Sequence, residues 1–488
     1  MFEKIHSPES VGIHSDGIAD FIEEIVSARL CTHGLAVVRF GKPVFESYEK
    51  HFSPDKVHRM YSVSKTFVSA AIGTLIDEGR LSLSDRVASF FPERVPENLH
   101  PYIAAATVRD LLMMATPFNG TTYGVQDSDW VKTFFTAEPS HMPGTVFNYD
   151  TSASLVLDAI VEKITGKPFM DYLYEKVLKY IGFAEGRRCV KSPEGFSWGG
   201  SGVLCTLREL AAFAQLFLDN GRAPDGRQLI SEEYITAAVS KQISNEVDNA
   251  FSSYGTYGYG YQVWRTEDGY AFLGMGNQLA IIYPEKQLFF VCISDDQGNS
   301  TAREILLRSF KKHVVEKINC DCLPENENAK ARLDSLCGCF KMPVPEGSAS
   351  SPLAEKINGK VFELNKNPMQ ISDIRFDFEG ECGKMTYTTP RGVKTLTFGM
   401  GFFDDGVFPE THYFGDTIGS PLGRGYECHT AAAWQSEDKL IIRCYITDDY
   451  LGNLTASVSF KSGAPDLLMT KTAEWFLNEY KGFAGAKR

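Results

Sequence analysis

The chain has 488 residues, 43% of them hydrophobic and 23% charged, which is enough for two or three globular domains. A net charge of −13 with no basic stretch argues against nucleic acid or an anionic membrane as a partner. There is no basic-then-apolar leader and no apolar run as long as a membrane span, so we expect a cytoplasmic protein without a membrane partner.

The first ~316 residues mix helices and strands. Strands open and close this region with helices between them, which predicts an α+β domain whose antiparallel sheet gathers strands from both ends. The predicted elements are a helix at 19–30, two strands in GLAVVRFGKPVFESYE, a helix from Ser62 to near Gly79, a short helix at 107–115 capped by Thr107, a helix ended by Gly166, a helix from Thr206 to Gly221, strands in YGYGYQVWR, YAFLGMG, NQLAIIYP and QLFFVCISD, and a helix at roughly 300–316.

The last third of the chain has a different pattern. After a polar stretch come short alternating segments separated by Gly, Asn and Asp, which predict a compact antiparallel β-barrel or sandwich ending in one helix, TKTAEWFLNEY. We therefore predict an enzymatic domain at 1–318, a linker at 319–335 and a β domain at 336–488.

The eleven cysteines are an odd number and are scattered. Cys189, Cys205 and Cys292 have apolar neighbours and are expected to be buried thiols. The CDC and CGC pairs are separated by one residue, whereas structural zinc sites space paired cysteines by about two to four. We therefore predict reduced thiols and no metal site.

The segment YSVSK places Ser62 three residues before Lys65, so that both side chains lie on one helix face. A serine needs a neighbouring base to become a good nucleophile, and a lysine in a partly apolar site has a lowered pKa and can be that base. The N–H of Ser62, at a helix N-terminus, could form half of an oxyanion hole. Alone, Ser-x-x-Lys is also an ordinary exposed helix start, so the chemistry requires further groups.

Two other segments could supply those groups. Tyr149 follows a Pro-Gly turn and directly precedes a helix, and a phenol beside a lysine cation loses its proton more readily. Gly274 and Gly276 flank Met275 in a predicted strand, where glycine marks close approach of the backbone. Taken singly, the first is equally a half-buried tyrosine and the second a β-bulge.

A histidine-based triad is a weaker interpretation. The chain has no Gly-x-Ser-x-Gly elbow, and His58 lies four residues before Ser62 without an evident carboxylate to orient it. The lysine is better placed than this histidine.

Four motifs occur in order within roughly residues 8–316 and resemble the serine β-lactamase/penicillin-binding-protein superfamily, in particular its class C-like branch of esterases, D-amino-acid peptidases and amide hydrolases. The motifs are YSVSKTFVSAAIGTLIDEG, PGTVFNYDTSASLVLDAIVEKITG, WGGSGVLCTLRELAAFAQLF and LGMGNQLAIIYPE. The resemblance implies a β-lactamase/transpeptidase-like domain, with an antiparallel sheet flanked by helices and a helical subdomain. The C-terminal part resembles the lipocalin-like β modules appended to some members.

The resemblance also implies roles. Ser62 is the acyl-accepting nucleophile, Lys65 its activating partner and Tyr149 the general base and acid. The backbone N–H groups of Ser62 and Met275 form the oxyanion hole, with Asn277 as the donor if the register slips by two. The implied substrate-binding residues are Thr151, Gly274, Gly276 and Asn277.

Two departures from the family pattern narrow the substrate. The usual Tyr-x-Asn is here Tyr149-Asp150-Thr151, and FLGMG lacks the Lys or His that commonly anchors a carboxylate. A small neutral ester or amide, including one with a D-residue, therefore fits better than a β-lactam or a peptide C-terminus.

We predict a serine hydrolase that needs no metal or organic cofactor. The alternatives are an acyltransferase using the same acyl-enzyme, and a catalytically weak binding protein of this fold. The C-terminal module could cap the cleft, bind a ligand of its own or hold two subunits together as a homo-oligomer.

Overall fold

The computed structural model describes residues 2–246, 256–414, 418–419 and 423–487. Its contacts divide the chain into two units, Met1–Met342 and Pro343–Arg488. The predicted linker at 319–335 includes a helix, Glu327–Ser335, whose first turn is capped by the Asn326 side chain. The enzymatic and β-domain boundaries at 318 and 336 stay a prediction.

The described strands of the first unit form one six-stranded sheet and one small ribbon. The sheet order is β2-β1-β8-β7-β6-β5 and every neighbouring pair is antiparallel. Strand β1 pairs with β8, so the predicted meeting of strands from both ends of the domain is confirmed. The strands are β1 (Thr32–Arg39), β2 (Lys42–Tyr48), β3 (His58–Arg59), β4 (Leu204–Cys205), β5 (Trp264–Thr266), β6 (Gly269–Gly274), β7 (Gln278–Tyr283) and β8 (Leu288–Ser294).

Helices cover both faces of this sheet, which explains why its central strands are buried along their whole length. Because side chains alternate across a strand, Phe290 of β8 points to one face and contacts Phe21 and Phe310. Phe272 of β6 points to the other face and contacts Phe213 and Phe217. The helices of the first unit are α1 (Ser15–Ser27), α2 (Ser64–Asp77), α3 (Pro101–Ala105), α4 (Val108–Leu112), α5 (Trp130–Thr136), α6 (Thr151–Thr165), α7 (Phe169–Lys176), α8 (Leu207–Leu218), α9 (Glu232–Val239), α10 (Ala302–His313) and α11 (Glu327–Ser335).

The helix that follows Ser62 is buried on all sides. Every residue of α2 from Ser64 to Leu75 is buried, and the helix packs on α6 and α7. This burial on every side places α2 in the interior of the domain, including its polar residues Lys65 and Ser69.

The predicted helix ends at Thr107, Gly166 and Thr206 are confirmed. Thr107 and Thr206 each form a capping box, with Asp110 and Glu209 respectively. Gly166 ends α6 with a left-handed φ of 70°.

The second unit contains one helix, α12 (Pro352–Ile357), and a single sheet among its described residues. The sheet is antiparallel except for a short parallel contact between β12 and β14. An isolated bridge between Leu364 and Ala486 joins the first strand region to the last. The strands are β9 (Val361–Glu363), β10 (Asp373–Glu379), β11 (Cys382–Thr389), β12 (Gly392–Met400), β13 (Asp404–Phe408), β14 (Tyr426–Ser436), β15 (Lys439–Thr447), β16 (Leu451–Ser459), β17 (Asp466–Thr472) and β18 (Gly482–Gly485).

Two local predictions are wrong. TKTAEWFLNEY does not form a helix, because its first three residues end β17 and pair with β16, and Leu477 has a φ of 64°. In YGYGYQVWR only Trp264 and Arg265 are in a strand, β5, because Gly258 and Gln262 have φ values of 101° and 59° that break an extended chain. Within the described ranges, every helix is too short or too polar to serve as a membrane span.

Candidate active site

Ser62 lies in a 3-10 turn, Tyr61–Val63, that leads directly into α2. Strand β3 fixes the approach to this turn by pairing with β4, and Met60 adds a backbone hydrogen bond of 2.8 Å to Val203. Tyr61 has a φ of 48°, an uncommon conformation for a bulky residue. The serine is only partly buried, between the buried Tyr61 and Val63.

Lys65 is almost fully buried, with 1% of its surface exposed. Its Nζ lies 3.2 Å from Ser62 Oγ, 3.3 Å from Thr151 Oγ1 and 2.6 Å from the carbonyl oxygen of Gly200. The predicted juxtaposition of Ser62 and Lys65 is therefore present in the fold.

Three of the groups that Lys65 contacts are acceptors that fit either of its protonation states. A carbonyl can only accept, so Gly200 always takes one N–H, and the Thr151 hydroxyl can accept a second. A neutral amine would then direct its lone pair at the Ser62 hydroxyl and could receive its proton. An ammonium would instead donate to the serine oxygen and stabilise it as an alkoxide.

Tyr149 stands beside the lysine, on the loop that leads into α6. Its ring centroid lies 5.0 Å from Lys65 Nζ, and the ring stacks on Trp264 with a centroid separation of 5.3 Å. The ammonium over the ring is an electrostatically favourable contact. The structure thus brings Tyr149, Lys65 and Ser62 into one neighbourhood.

The two residues after Tyr149 have different roles. Asp150 is fully buried and caps α6 by accepting the Ser152 backbone N–H at 2.8 Å and the Thr116 hydroxyl at 2.8 Å. Burial raises the pKa of this carboxyl, against the hydrogen bonds that lower it. Thr151 begins α6, which turns its hydroxyl toward Lys65.

The sequence reasoning did not find the carbonyl that holds Lys65. It belongs to Gly200, in the WGGSGV segment that precedes β4. A Cβ on Gly200 would lie 2.4 Å from Thr151 Cγ2, so only glycine fits. The Gly-Gly pair ahead of a capped helix was the available clue, since paired glycines mark close backbone approach.

Gly274 is the last residue of β6, and Met275, Gly276 and Asn277 form the hairpin turn to β7, so the strand predicted to include Met275 and Gly276 ends before them. The close approach itself is present: a Cβ on Gly274 would lie 2.5 Å from the Met60 carbonyl oxygen. Strand β6 also packs against the turn that carries Ser62. The end of β6, which precedes Met275, is thereby held close to the turn that carries Ser62.

Asn277 stabilises this turn through hydrogen bonds of its backbone and its side chain. Its backbone N–H donates to Gly274 O at 3.2 Å, and its side-chain amide donates to Asp296 at 3.1 Å while accepting from Arg303 at 3.2 Å. Asp296 also accepts the backbone N–H of Cys31 at 2.7 Å. The Asn277 backbone N–H is thus already used within the turn, and the assignment of Met275 as the backbone donor to an oxyanion stays a prediction.

His58 is turned away from catalysis. Its Nδ1 lies 3.1 Å from the Arg59 carbonyl, which can only accept, so Nδ1 carries the proton and Nε2 accepts from His33 Nδ1 at 2.9 Å. Burial lowers the pKa of His58 to about 4, and the Lys56 charge adds to the shift. The ring is therefore neutral, and its two nitrogens are hydrogen-bonded to His33 and to the Arg59 carbonyl.

The comparisons with known proteins agree with this arrangement. A family model described as Beta-lactamase matches residues 19–309, more than half of the chain. The chain therefore belongs to the β-lactamase family.

Among curated relatives, the 6-aminohexanoate-dimer hydrolase of Paenarthrobacter ureafaciens is 28% identical over 226 residues, 43% of this chain and 57% of that protein. Penicillin-binding protein 4 of Amycolatopsis lactamdurans is 25% identical over 251 residues, 44% of this chain and 65% of that protein. The chain thus spans less than two thirds of either relative.

Among solved structures, a family VIII carboxylesterase superposes with a TM-score of 0.51 at 14% identity, covering 64% of this chain and 99% of that one. This likeness supports the fold.

Proposed function

We propose that this protein is a serine hydrolase that forms an acyl-enzyme on Ser62 and cleaves a small ester or amide. The observation that carries the proposal is the buried Lys65 amino group, which contacts both Ser62 Oγ and the Gly200 carbonyl. The hydrolase and carboxylesterase names of similar proteins point the same way. The substrate is a small molecule.

The proposed cycle uses residues of this neighbourhood. Ser62 Oγ attacks the carbonyl carbon as its proton passes to Lys65 and is relayed by Tyr149, and the N–H groups of Ser62 and Met275 donate to the oxyanion. The leaving alcohol or amine takes the proton, and water activated by Tyr149 then attacks the acyl-enzyme and releases the acid. Gly274, Gly276 and Thr151 line the substrate side in this proposal.

We expect a neutral substrate. The turn at 274–277 carries no lysine or histidine that could anchor a carboxylate. The nearby Arg59 guanidinium is fully buried, donates to Ser201 O at 3.0 Å and lies over the rings of Tyr61 and Trp198. It is thus held inside the protein.

The test is intact-protein mass after exposure to a fluorophosphonate. A single adduct is expected on the wild type and none on Ser62→Ala, while Ser84→Ala, an exposed serine elsewhere, should label like the wild type. Lys65→Ala should slow labelling by about 10²–10⁴-fold. Labelling of Ser62→Ala would refute the assignment, and an unlabelled wild type would favour the binding-protein alternative.

Small esters, small amides and a β-lactam should then be compared as substrates, with and without an added alcohol. Ester or amide turnover that forms free acid supports hydrolysis, and product carrying the alcohol would support the acyltransferase alternative.

We also propose that residues 1–318 carry the activity and that residues 336–488 form a lipocalin-like β-barrel. The bridge from Leu364 to Ala486, with a 2.9 Å bond from Asn365 N to Gly485 O, supports closure of that sheet.

A further inference from the structure

A cavity lies inside the second unit, at one end of its sheet. Its volume is ≈230 Å³, somewhat below the roughly 300–1,000 Å³ of pockets for drug-sized ligands, so the cavity suits a smaller molecule. Its walls come from the turn between β11 and β12, the loop between β9 and β10, the segment after β13 and the 3-10 turn Asn478–Tyr480.

The charged side chains at the floor of the cavity are paired with one another. Lys394 Nζ and the Tyr480 hydroxyl both contact Glu410 Oε1, and the Tyr387 hydroxyl lies 3.0 Å from that of Tyr480. The side chains of Lys394 and Glu410 are 7% and 6% exposed. Because one cation faces one carboxylate, the floor alone selects no ligand charge.

The charged groups at the rim of the cavity, in contrast, have unused hydrogen-bonding capacity. His412 lies between Arg391 and Glu479, with its Nδ1 2.9 Å from Arg391 NH1 and its Nε2 2.7 Å from Glu479 Oε1. Among the described residues, the guanidinium has no side-chain or backbone acceptor beyond His412, and the buried Glu479 Oε2 receives no hydrogen bond. The cavity therefore presents spare cationic donors and a spare anionic acceptor.

Both unmatched groups contact the same imidazole, so one small molecule can reach both. A simple anion would leave Glu479 Oε2 without a donor and would face a second carboxylate. A simple cation would leave the guanidinium unused. Since a buried acceptor without a partner is costly, a ligand carrying an ammonium and a carboxylate matches the site best.

We propose that this cavity binds a free α-amino acid, with the carboxylate on Arg391 and the ammonium on Glu479. The guanidinium suits a carboxylate because its fork of N–H groups can donate two parallel bonds. Met369 and Pro390 line the same cavity and offer apolar surface to an aliphatic side chain. The site is made of residues separate from the Ser62 machinery, so the two proposals can fail independently.

The first experiment is calorimetric titration of the full-length protein with leucine (both enantiomers), N-acetylleucine and leucinamide. N-acetylleucine lacks the ammonium and leucinamide lacks the carboxylate. We expect leucine to bind at least about tenfold more tightly than either, because each derivative loses one charge-assisted hydrogen bond.

The second experiment exchanges the recognition groups. Arg391→Gln should abolish the preference for leucine over leucinamide, and Glu479→Gln the preference for leucine over N-acetylleucine. Arg375→Gln and Glu381→Gln, at exposed positions of the same unit, should keep both preferences. Fluorophosphonate labelling of Ser62 should not change in any variant.

Equal binding of the four compounds by the wild type, or no binding of any at millimolar concentration, would overturn the proposal. The same holds if the control variants lose the preferences as fully as Arg391→Gln and Glu479→Gln. The charged rim would then be a plug that closes the end of the sheet. The wild-type comparison decides the matter even if a variant fails to fold.

Discussion

At the scale of single residues, the candidate site depends on how the hydrogen bonds of one buried amine are shared. The contacts of Lys65 include two hydroxyls and one carbonyl, and of these only the carbonyl is fixed as an acceptor. The Thr151 hydroxyl can accept a second N–H and thereby helps to leave the lysine lone pair available to Ser62.

Replacing Thr151 by Val should lower the rate of Ser62 acylation about tenfold, because the lysine loses one acceptor at nearly constant side-chain shape. Thr151→Ser, which keeps the hydroxyl, should stay close to the wild-type rate. The second-order rate of fluorophosphonate labelling measures both. Equal rates for Thr151→Val and the wild type would remove this hydroxyl from the proposed mechanism.

Gly200→Ala should impair the site through geometry. The new Cβ would meet Thr151 Cγ2 at 2.4 Å and Thr151 O at 3.1 Å, which pushes the Gly200 carbonyl away from Lys65. We expect at least a tenfold slower labelling. Gly120→Ala is the control, since nothing lies within 4 Å of its Cβ position. Unchanged labelling in Gly200→Ala would contradict the assigned role of this carbonyl.

At the scale of elements, buried titratable groups link strands and helices, and their pKa values are shifted in opposite directions. His58 links β3 to β1 through His33, and Asp158 of α6 accepts the Gly199 N–H at 3.2 Å. Burial lowers the pKa of His58 to about 4 and raises that of Asp158 well above its ordinary value. Lowering the pH should therefore destabilise the contact of His58, and raising the pH should destabilise that of Asp158.

His58 should make the protein less stable as pH falls from about 6.5 to about 4. The unfolded histidine takes up a proton in that window and the folded one does not, which amounts to roughly 3 kcal/mol in the free energy of unfolding. His58→Gln should lose this slope, whereas His14→Gln, on an exposed residue, should keep it. Denaturant unfolding at several pH values measures it, and parallel slopes in His58→Gln and the wild type would contradict the prediction.

Asp158 should act in the opposite direction. The folded carboxyl keeps its proton above pH 4 while the unfolded one releases it, so the free energy of unfolding declines by up to about 1.4 kcal/mol per pH unit until the folded pKa is reached. Asp158→Asn should remove that decline and gain stability relative to the wild type as pH rises toward 7. A constant difference across pH 4–7 in the same unfolding assay would show that Asp158 is ionised in the fold.

At the scale of the whole molecule, each unit has its own core. Ile281 of β7 and Ile442 of β15 are each 1% exposed, in the first and second unit respectively. Truncating either to Ala should cost about 2–5 kcal/mol in the unit that contains it.

Calorimetry should therefore resolve which unit each substitution weakens. Ile442→Ala should lower the unfolding temperature of the second unit and leave the temperature at which Ser62 labelling is lost unchanged. Ile281→Ala should lower the labelling temperature. If Ile442→Ala lowered the temperature at which Ser62 labelling is lost as much as Ile281→Ala does, at the same heating rate, the two units would not unfold as separate domains.

The sequence by itself determined the features that depend on neighbours along the chain. The Ser62–Lys65 spacing, the capping pairs at Thr107 and Thr206, and the alternating strands of the second unit follow from local periodicity and hydrogen bonding. These properties need no knowledge of the rest of the fold.

Only the tertiary structure decided which residues, distant in sequence, contact those local features. The Gly200 carbonyl reaches Lys65 across 135 positions, and Glu479 meets His412 across 67. The segment at Leu477 turns instead of forming a helix because its preceding residues pair with β16. The physical reason is the same in each case: long-range pairing outweighs local propensity, and a sequence pattern records only the latter.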